Sequence, residues 1–242
     1  MKTILGTRLG QAGFLALALF SAAALAAEAG TVTHLSGTLS VQRPDGSVRI
    51  LSQKSEVHPG DALTTQRDSY AQVNFTDGSS LTMRPNSQVK IERYHFVQDR
   101  PQDDNTLLRL VKGGMRTVTG LVGKRGNHDA YQIGTSAASI GIRGSSGDTI
   151  DNTSGSCEGA IAGCESLPAG VYHTTHTGSY IMHNESGSQI VAAGQFGYVR
   201  DPRSAPALLP RDPGLNLSQL PFALGVRGGS GIQTTVQDCV VR

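Results

Sequence analysis

The sequence predicts an all-β chain, folded as a short β-solenoid or as a rolled β-sheet or sandwich, and three observations carry that expectation. Thirty of its 242 residues are glycine. Apolar side chains recur at every second position in several short runs, where a helix would space them by three or four. Asp45-Gly46, Pro59-Gly60-Asp61 and Asp77-Gly78 punctuate those runs, at turns where a left-handed backbone costs glycine little.

The first element is not part of the fold. Lys2 and Arg8 precede an apolar run from Phe14 to Ala24, and Ala24-Leu25-Ala26 follows, so residues 1–26 are expected to be a secretory signal peptide cleaved after Ala26. That run is short for a membrane anchor, and no other stretch approaches ~18 consecutive apolar residues, so no membrane span is expected after cleavage. Removing Lys2 and Arg8 from the 21 basic residues balances the 19 acidic ones. A neutral chain without a basic stripe or a basic amphipathic helix predicts no nucleic-acid partner and no membrane-surface role.

The strand readings follow in chain order. In the run Ser69–Met83, Ala71, Val73 and Phe75 fall on one face and Gln72, Asn74 and Thr76 on the other; the chain turns at Asp77-Gly78 and resumes with Leu81 and Met83. Val89 with Ile91, Leu108 with Leu110, and Tyr180 with Met182 continue the pattern. Asp45-Gly46 and Asp77-Gly78 share their context 32 positions apart, which suits either hairpins or the corners of a coiled repeat. Residues 96–106 read as a polar loop, and 148–170, rich in Gly and Ser, as an insertion. Half of the ten prolines lie beyond Val199, which makes 201–242 a Pro/Gly-rich tail and leaves 27–200 as the β domain, with its core at 30–145.

Three cysteines are expected in an oxidising compartment. Cys157 and Cys164 enclose six residues and suit a local disulfide, although either can pair with Cys239 instead.

Between Gly134 and Ser145 no side chain is aromatic, and tiny residues alternate with Ile140, Ile142 and Arg143. This stretch, "IGTSAASIGIRGS", resembles a motif of the FecR-type domain, the extracytoplasmic module of a family of bacterial regulators and sensors. The resemblance also takes in Gly60-Asp61-Ala-Leu-Thr-Thr65, the run Phe75-Thr-Asp77-Gly78-Ser-Ser-Leu-Thr-Met83 and "LLRLVKGGMR", covering roughly residues 30–145 and more loosely to 200. It implies stacked or rolled strands with close backbone approach at the small residues. Gly60, Asp61, Asp77, Gly78, Gly141, Arg143 and Gly144 are then its structural or binding residues, with Gly141 and Gly144 flanking a kink and Arg143 set opposite Ile142 in a structural ion pair or carbonyl contact. Where the family carries Pro and Thr, this chain has Ser136 and Ser145, and the family's strand entered by an aromatic near Gly147 is replaced by the insertion. The family's iron-uptake regulators place an anti-sigma domain and a membrane span before this module; here the expectation is a stand-alone periplasmic or secreted domain with no direct hold on a sigma factor.

Chemistry is sparse. His173, His176 and His183 invite a metal site, but residues three apart on a strand face opposite ways, so no metal is expected. His34, His58, His95 and His128 are scattered. Asp99, Asp103 and Asp104 lack the alternating ligands and central glycine of a calcium loop. The serines of "RGSSGD" and "RGGSG" lack a nucleophile-elbow spacing, and the glycines of 141–147 lack a dinucleotide fingerprint. The expectation is an exported, non-catalytic module without a cofactor that binds an envelope protein or polymer in signalling or assembly. The alternative is a polymer-processing enzyme or an adhesin component, its site bordered by the insertion and the histidine-bearing strand.

Overall fold

The structure, a computed structural model, describes residues 27–125, 127, 129–153, 155, 157 and 159–215, with the side chains of Arg143 and Glu165 excepted. The expected signal peptide, Cys239 and the end of the tail lie outside the described residues. Within them the chain is all β apart from two single turns of 3-10 helix.

Fifteen strands form one continuous, branched sheet. They begin with β1 (Gly30–Ser36), β2 (Leu39–Gln42), β3 (Val48–Leu51), β4 (Glu56–Val57), β5 (Ala62–Thr65), β6 (Tyr70–Phe75), β7 (Ser80–Met83) and β8 (Gln88–His95). Then come β9 (Asn105–Val118), β10 (Tyr131–Gly134), β11 (Ser139–Asp151), β12 (Val171–Asn184), β13 (Gly187–Ala192), β14 (Phe196–Val199) and β15 (Ala207–Leu209).

Three strands, β9, β11 and β12, are more than twice as long as most others, and each takes different neighbours along its two halves. The first half of β9 pairs with β8 and β10, its second half with β7 and β11. The first half of β11 pairs with β10, its second with β9, while β12 gives its first half to β14 and its second to β13. The sheet therefore rolls into two facing halves. One runs β3-β2-β5-β8-β9-β10-β11-β12-β13 and the other β4-β1-β6-β7-β9-β11-β12-β14-β15, sharing the three long strands.

Each shared strand changes halves at a left-handed glycine: Gly113 at φ 81°, Gly144 at φ 62° and Gly178 at φ 71°. An L side chain is strained there, and bulges at such glycines bend a strand. The register of β11 on β12 indeed slips between Arg143 and Ser146.

The inner faces of both halves meet in one core. Leu39, Val41, Leu63, Val89, Leu108, Ile133 and Ile140 come from one half and Ala71, Val73, Leu81, Met83 and Met115 from the other. Each was placed by the alternation of its strand, and burying a side chain of this size is worth about 1.5–3 kcal/mol. Every strand pair among those described is antiparallel except β9–β10, so the chain is a rolled sheet and not a solenoid. Asp45-Gly46 and Asp77-Gly78 close the β2–β3 and β6–β7 hairpins, which accounts for their similar context.

The segment after Gly147 departs from expectation. β11 continues unbroken to Asp151, because Asp148, Thr149 and Ile150 pair on one side with β9 and on the other with β12; the insertion starts only after it. The tail also joins the domain in its described part: β15 pairs with β14, and Leu215 is buried beside Ile161 and Tyr172.

Candidate functional site

The outer face of the second half carries a buried cluster of charged and polar side chains. On β6, β7, β9, β11 and β12 the residues that alternate away from the core line up in register: Gln72 faces Thr82, Thr82 faces Arg116, Arg116 faces Asp148, and Asp148 faces Thr174. Arg84, just past β7, extends into the same row through its Nη2, 3.3 Å from Asp148 Oδ1. Arg116 grips both carboxylate oxygens, with Nη2 2.8 Å from Oδ2 and Nε 3.0 Å from Oδ1. His176 completes the set, its Nε2 2.6 Å from Asp148 Oδ2.

His176 reaches this position through a bulge. Ser146 pairs with Thr177 and Gly147 with Thr175, so His176 is the extra residue of β12, and bulges commonly re-aim one side chain in this way. Asp148 is 0% exposed while His176 is 36% exposed, so the cluster grades from buried carboxylate to solvent-facing imidazole. Burial alone would raise the Asp148 pKa; the bonds from His176 and Arg116, with the charge of Arg84, outweigh it and hold the carboxyl below its ordinary range.

His173 lies on the opposite, core-facing side of β12. Its Nδ1 is 3.0 Å from Thr149 Oγ1 and its ring packs 4.2 Å from that of Tyr180, whose hydroxyl is 3.4 Å from Thr117 Oγ1. Complete burial pushes the His173 pKa down to about 3, against a smaller upward pull from Asp148, so this imidazole is neutral at ordinary pH. His183 sits at the other end of β12, opposite Ser139 and Ser188. The three histidines thus go three ways, and among the described residues no group of three or more His, Cys, Asp or Glu side chains is placed to hold a metal ion.

The insertion covers the neighbouring row of the same outer face. Cys157 and Cys164 form a disulfide with a Cα–Cα distance of 6.0 Å, and the clasped loop packs Ile161 and Ala160 over Ile150 and Tyr172 in a second small core. An open groove of about 480 Å³ runs between this loop, Tyr70 and Pro85.

The motif residues sit at turns away from this cluster. Gly60 holds φ 90° with Pro44 against it, and Asp61 Oδ2 accepts from the His58 N–H at 2.9 Å while Oδ1 lies 3.5 Å from Arg43 Nε. Asp77 accepts from Ser79 N–H and Oγ–H at 3.0 and 2.6 Å, from Tyr94 Oη at 3.3 Å and from the Val122 N–H at 3.2 Å, tying the β6–β7 turn to the segment after β9. Gly78 takes φ 80° in open space, as its turn requires. Gly141 lies between Gln132 and Ile181, where an added Cβ would come 3.0 Å from Ile181. Arg143 pairs with Ser179 along the backbone, one residue before the Gly144 corner. Structure brings together Arg84, Arg116, Asp148 and His176, of which the sequence singled out His176 alone. The other three are isolated charges in alternating strands, and only the strand pairing reveals that they share one row.

The family model described as FecR protein matches residues 61–162, from the Asp61 turn through the first part of the clasped loop. Residues 61–162 are thus similar to a FecR domain. The FecR match includes β5 to β11, and with them Arg84, Arg116 and Asp148. No curated protein matches the chain. Among solved structures, a candidate anti-sigma factor from Parabacteroides distasonis ATCC 8503, determined at 2.50 and 1.65 Å, aligns at 12% identity with a TM-score of 0.45, over 62% of this chain and 60% of that one. The alignment thus spans about three fifths of that relative's length. A cell surface anchoring domain aligns at 25% identity with a TM-score of 0.26, over 26% of this chain and 84% of that chain. No helix among the described residues is long and apolar enough to cross a membrane.

Proposed function

We propose that this chain is an exported, non-catalytic FecR-domain protein that binds or senses a protein or polymer partner at the cell envelope, in signalling or assembly. The FecR match over residues 61–162 is the observation that carries this reading. Three features support it. The leader pattern of residues 1–26 and the Cys157–Cys164 disulfide suit an oxidising compartment outside the cytoplasm. The charges of the outer-face cluster are spent on one another, with Asp148 joining β7, β9, β11 and β12. The motif residues Gly60, Asp61, Asp77, Gly78 and Gly144 serve turns and a strand corner.

The polymer-processing alternative rests on one observation, the half-exposed His176 against a buried carboxylate. That pair resembles a base with its orienting group, yet the serine hydroxyl two residues before Asp148, Ser146 Oγ, is turned to Thr177 Oγ1 at 2.8 Å. Photo-crosslinking of the full chain in living cells, followed by mass spectrometry of envelope fractions, tests the choice. A single envelope partner recovered equally by the native chain and by His176→Gln supports a binding module. No partner under any growth condition, or an envelope polymer whose chain length changes with the native protein but not with His176→Gln, overturns it.

A further inference from the structure

The two most exposed large hydrophobic side chains of the described chain are neighbours on one strand: Val48 is 66% and Ile50 is 70% exposed, both on β3. β3 is the terminal strand of its half and pairs only with β2. Its hairpin fixes which backbone groups face out. The Arg43 N–H donates to Ser47 O at 2.9 Å, which makes that pair a closely bonded one. Bonded and non-bonded pairs alternate in an antiparallel ladder, so Val41–Arg49 and Leu39–Leu51 are bonded while Val48 and Ile50 turn their N–H and C=O groups away from β2. The residues with free apolar side chains are therefore also those with outward backbone donors and acceptors.

The other terminal strands of the two halves are short or capped. β4 has two residues and β15 three, too short for a ladder. β13 is capped by its own neighbourhood: the Gln189 side chain donates to Ile190 O at 2.8 Å, Gln195 Oε1 accepts from the Ala192 N–H at 2.8 Å, and the Gln195 N–H donates to Ala192 O at 2.9 Å. Exposed edges are normally blunted by such devices, and β3 lacks them apart from one charge, Arg49, which alternates to the other side of the strand. Arg49 makes no ion pair among the described residues.

We infer that β3 is a strand-addition site, and that its occupant is an extended segment of a partner polypeptide carrying an acidic residue between two apolar ones. The apolar pair covers Val48 and Ile50, and the acid faces Arg49 across the new ladder. A second copy of this chain is a poorer fit, since two-fold antiparallel pairing centred on the strand sets Arg49 against Arg49. This inference rests on the binding-module reading and names the edge through which it acts.

The test uses the full chain with three synthetic nonapeptide probes that alternate Thr and Val from a first Thr, with the central residue, between two Val, replaced by Glu, Lys or Gln. Binding is read by fluorescence anisotropy, and the backbone amides of Val48 and Ile50 by hydrogen exchange. The Glu peptide is expected to bind about two- to fivefold more tightly than the Gln peptide, a difference of the size that a cross-strand charge pair supplies. Arg49→Glu is expected to reverse the order of the Glu and Lys peptides, and binding should slow exchange at Val48 and Ile50 but not at Ile190. Ile50→Pro removes one outward N–H while leaving the β2 ladder intact, and should abolish binding by a chain whose circular dichroism is unchanged. Protection of Val48 and Ile50 in the free chain would instead assign the edge to the chain's own residues 216–242 if it is independent of concentration, or to a second copy if it grows with concentration. Either result overturns the inference, as does equal binding of all three peptides. An envelope partner that crosslinks as strongly to Ile50→Pro as to the native chain would also sink this inference while leaving the binding-module reading intact.

Discussion

Asp148 and His173 occupy opposite faces of the same patch of sheet, and both make the fold acid-sensitive. Asp148 has a folded pKa below its unfolded value, so its contribution is present above about pH 4 and is lost as pH falls through the folded value. His173 is held neutral by burial at about 3, below an unfolded value near 6.5. Between those two values the unfolded chain binds the extra proton, so stability falls as pH drops through that window. The expected loss from pH 7 to pH 5 is about 2 kcal/mol, measured by urea denaturation, and His173→Gln should flatten this part of the profile. Asp148→Asn leaves Arg84 and Arg116 without the carboxylate they share and is expected to cost about 3 kcal/mol at pH 7, far more than an exposed pair would. Little of this cluster was legible in the sequence. Alternation sets His173 and His176 on opposite faces, but the bulge that aims His176 at Asp148 carries no local signal, and the partners Arg84, just past β7, Arg116 on β9 and Asp148 on β11 meet only through strand pairing.

At the scale of elements, the runs around Ala71–Phe75, Leu81–Met83 and Leu108–Leu110 were legible because one face is buried and the other wet, which imposes a period of two. What the pattern hid were the corners. A strand that crosses between halves keeps its alternation on both sides of the bend, so β9 and β12 each read as shorter pieces, and β11 read as ending before Asp148. The corners should differ in their tolerance of a methyl group. A Cβ at Gly144 meets only Lys124 Cγ at 3.8 Å, so Gly144→Ala is expected to cost about 1 kcal/mol for its φ alone. At Gly113 the new atom would lie 2.8 Å from Ser87 Cα, in backbone that cannot yield, and Gly113→Ala should cost about 2–3 kcal/mol by thermal or urea unfolding. Equal costs at the two sites would contradict the corner geometry. The clasped loop gives a further check: its disulfide closes eight residues, and Cys157→Ser with Cys164→Ser is expected to remove about 2.5 kcal/mol, with increased protease cleavage within 152–167.

For the whole molecule, the three shared strands make one folding unit of the two halves, since neither half keeps its order without β9, β11 and β12. A single cooperative unfolding transition is therefore expected when fluorescence and circular dichroism are followed together. The all-β class and the family were legible from glycine punctuation and the small-residue motif, whereas the choice of a rolled sheet over a solenoid needed the antiparallel register. The functional account joins this architecture to export and to contact through an edge. Its premise is that the chain leaves the cytoplasm, and the most direct test is the intact mass of the protein recovered from fractionated bacterial cells expressing all 242 residues. The account predicts material outside the cytoplasm that begins at Ala27 and has Cys157 joined to Cys164. Full-length chain beginning at Met1 and recovered from the cytosol with all three thiols reduced would contradict it.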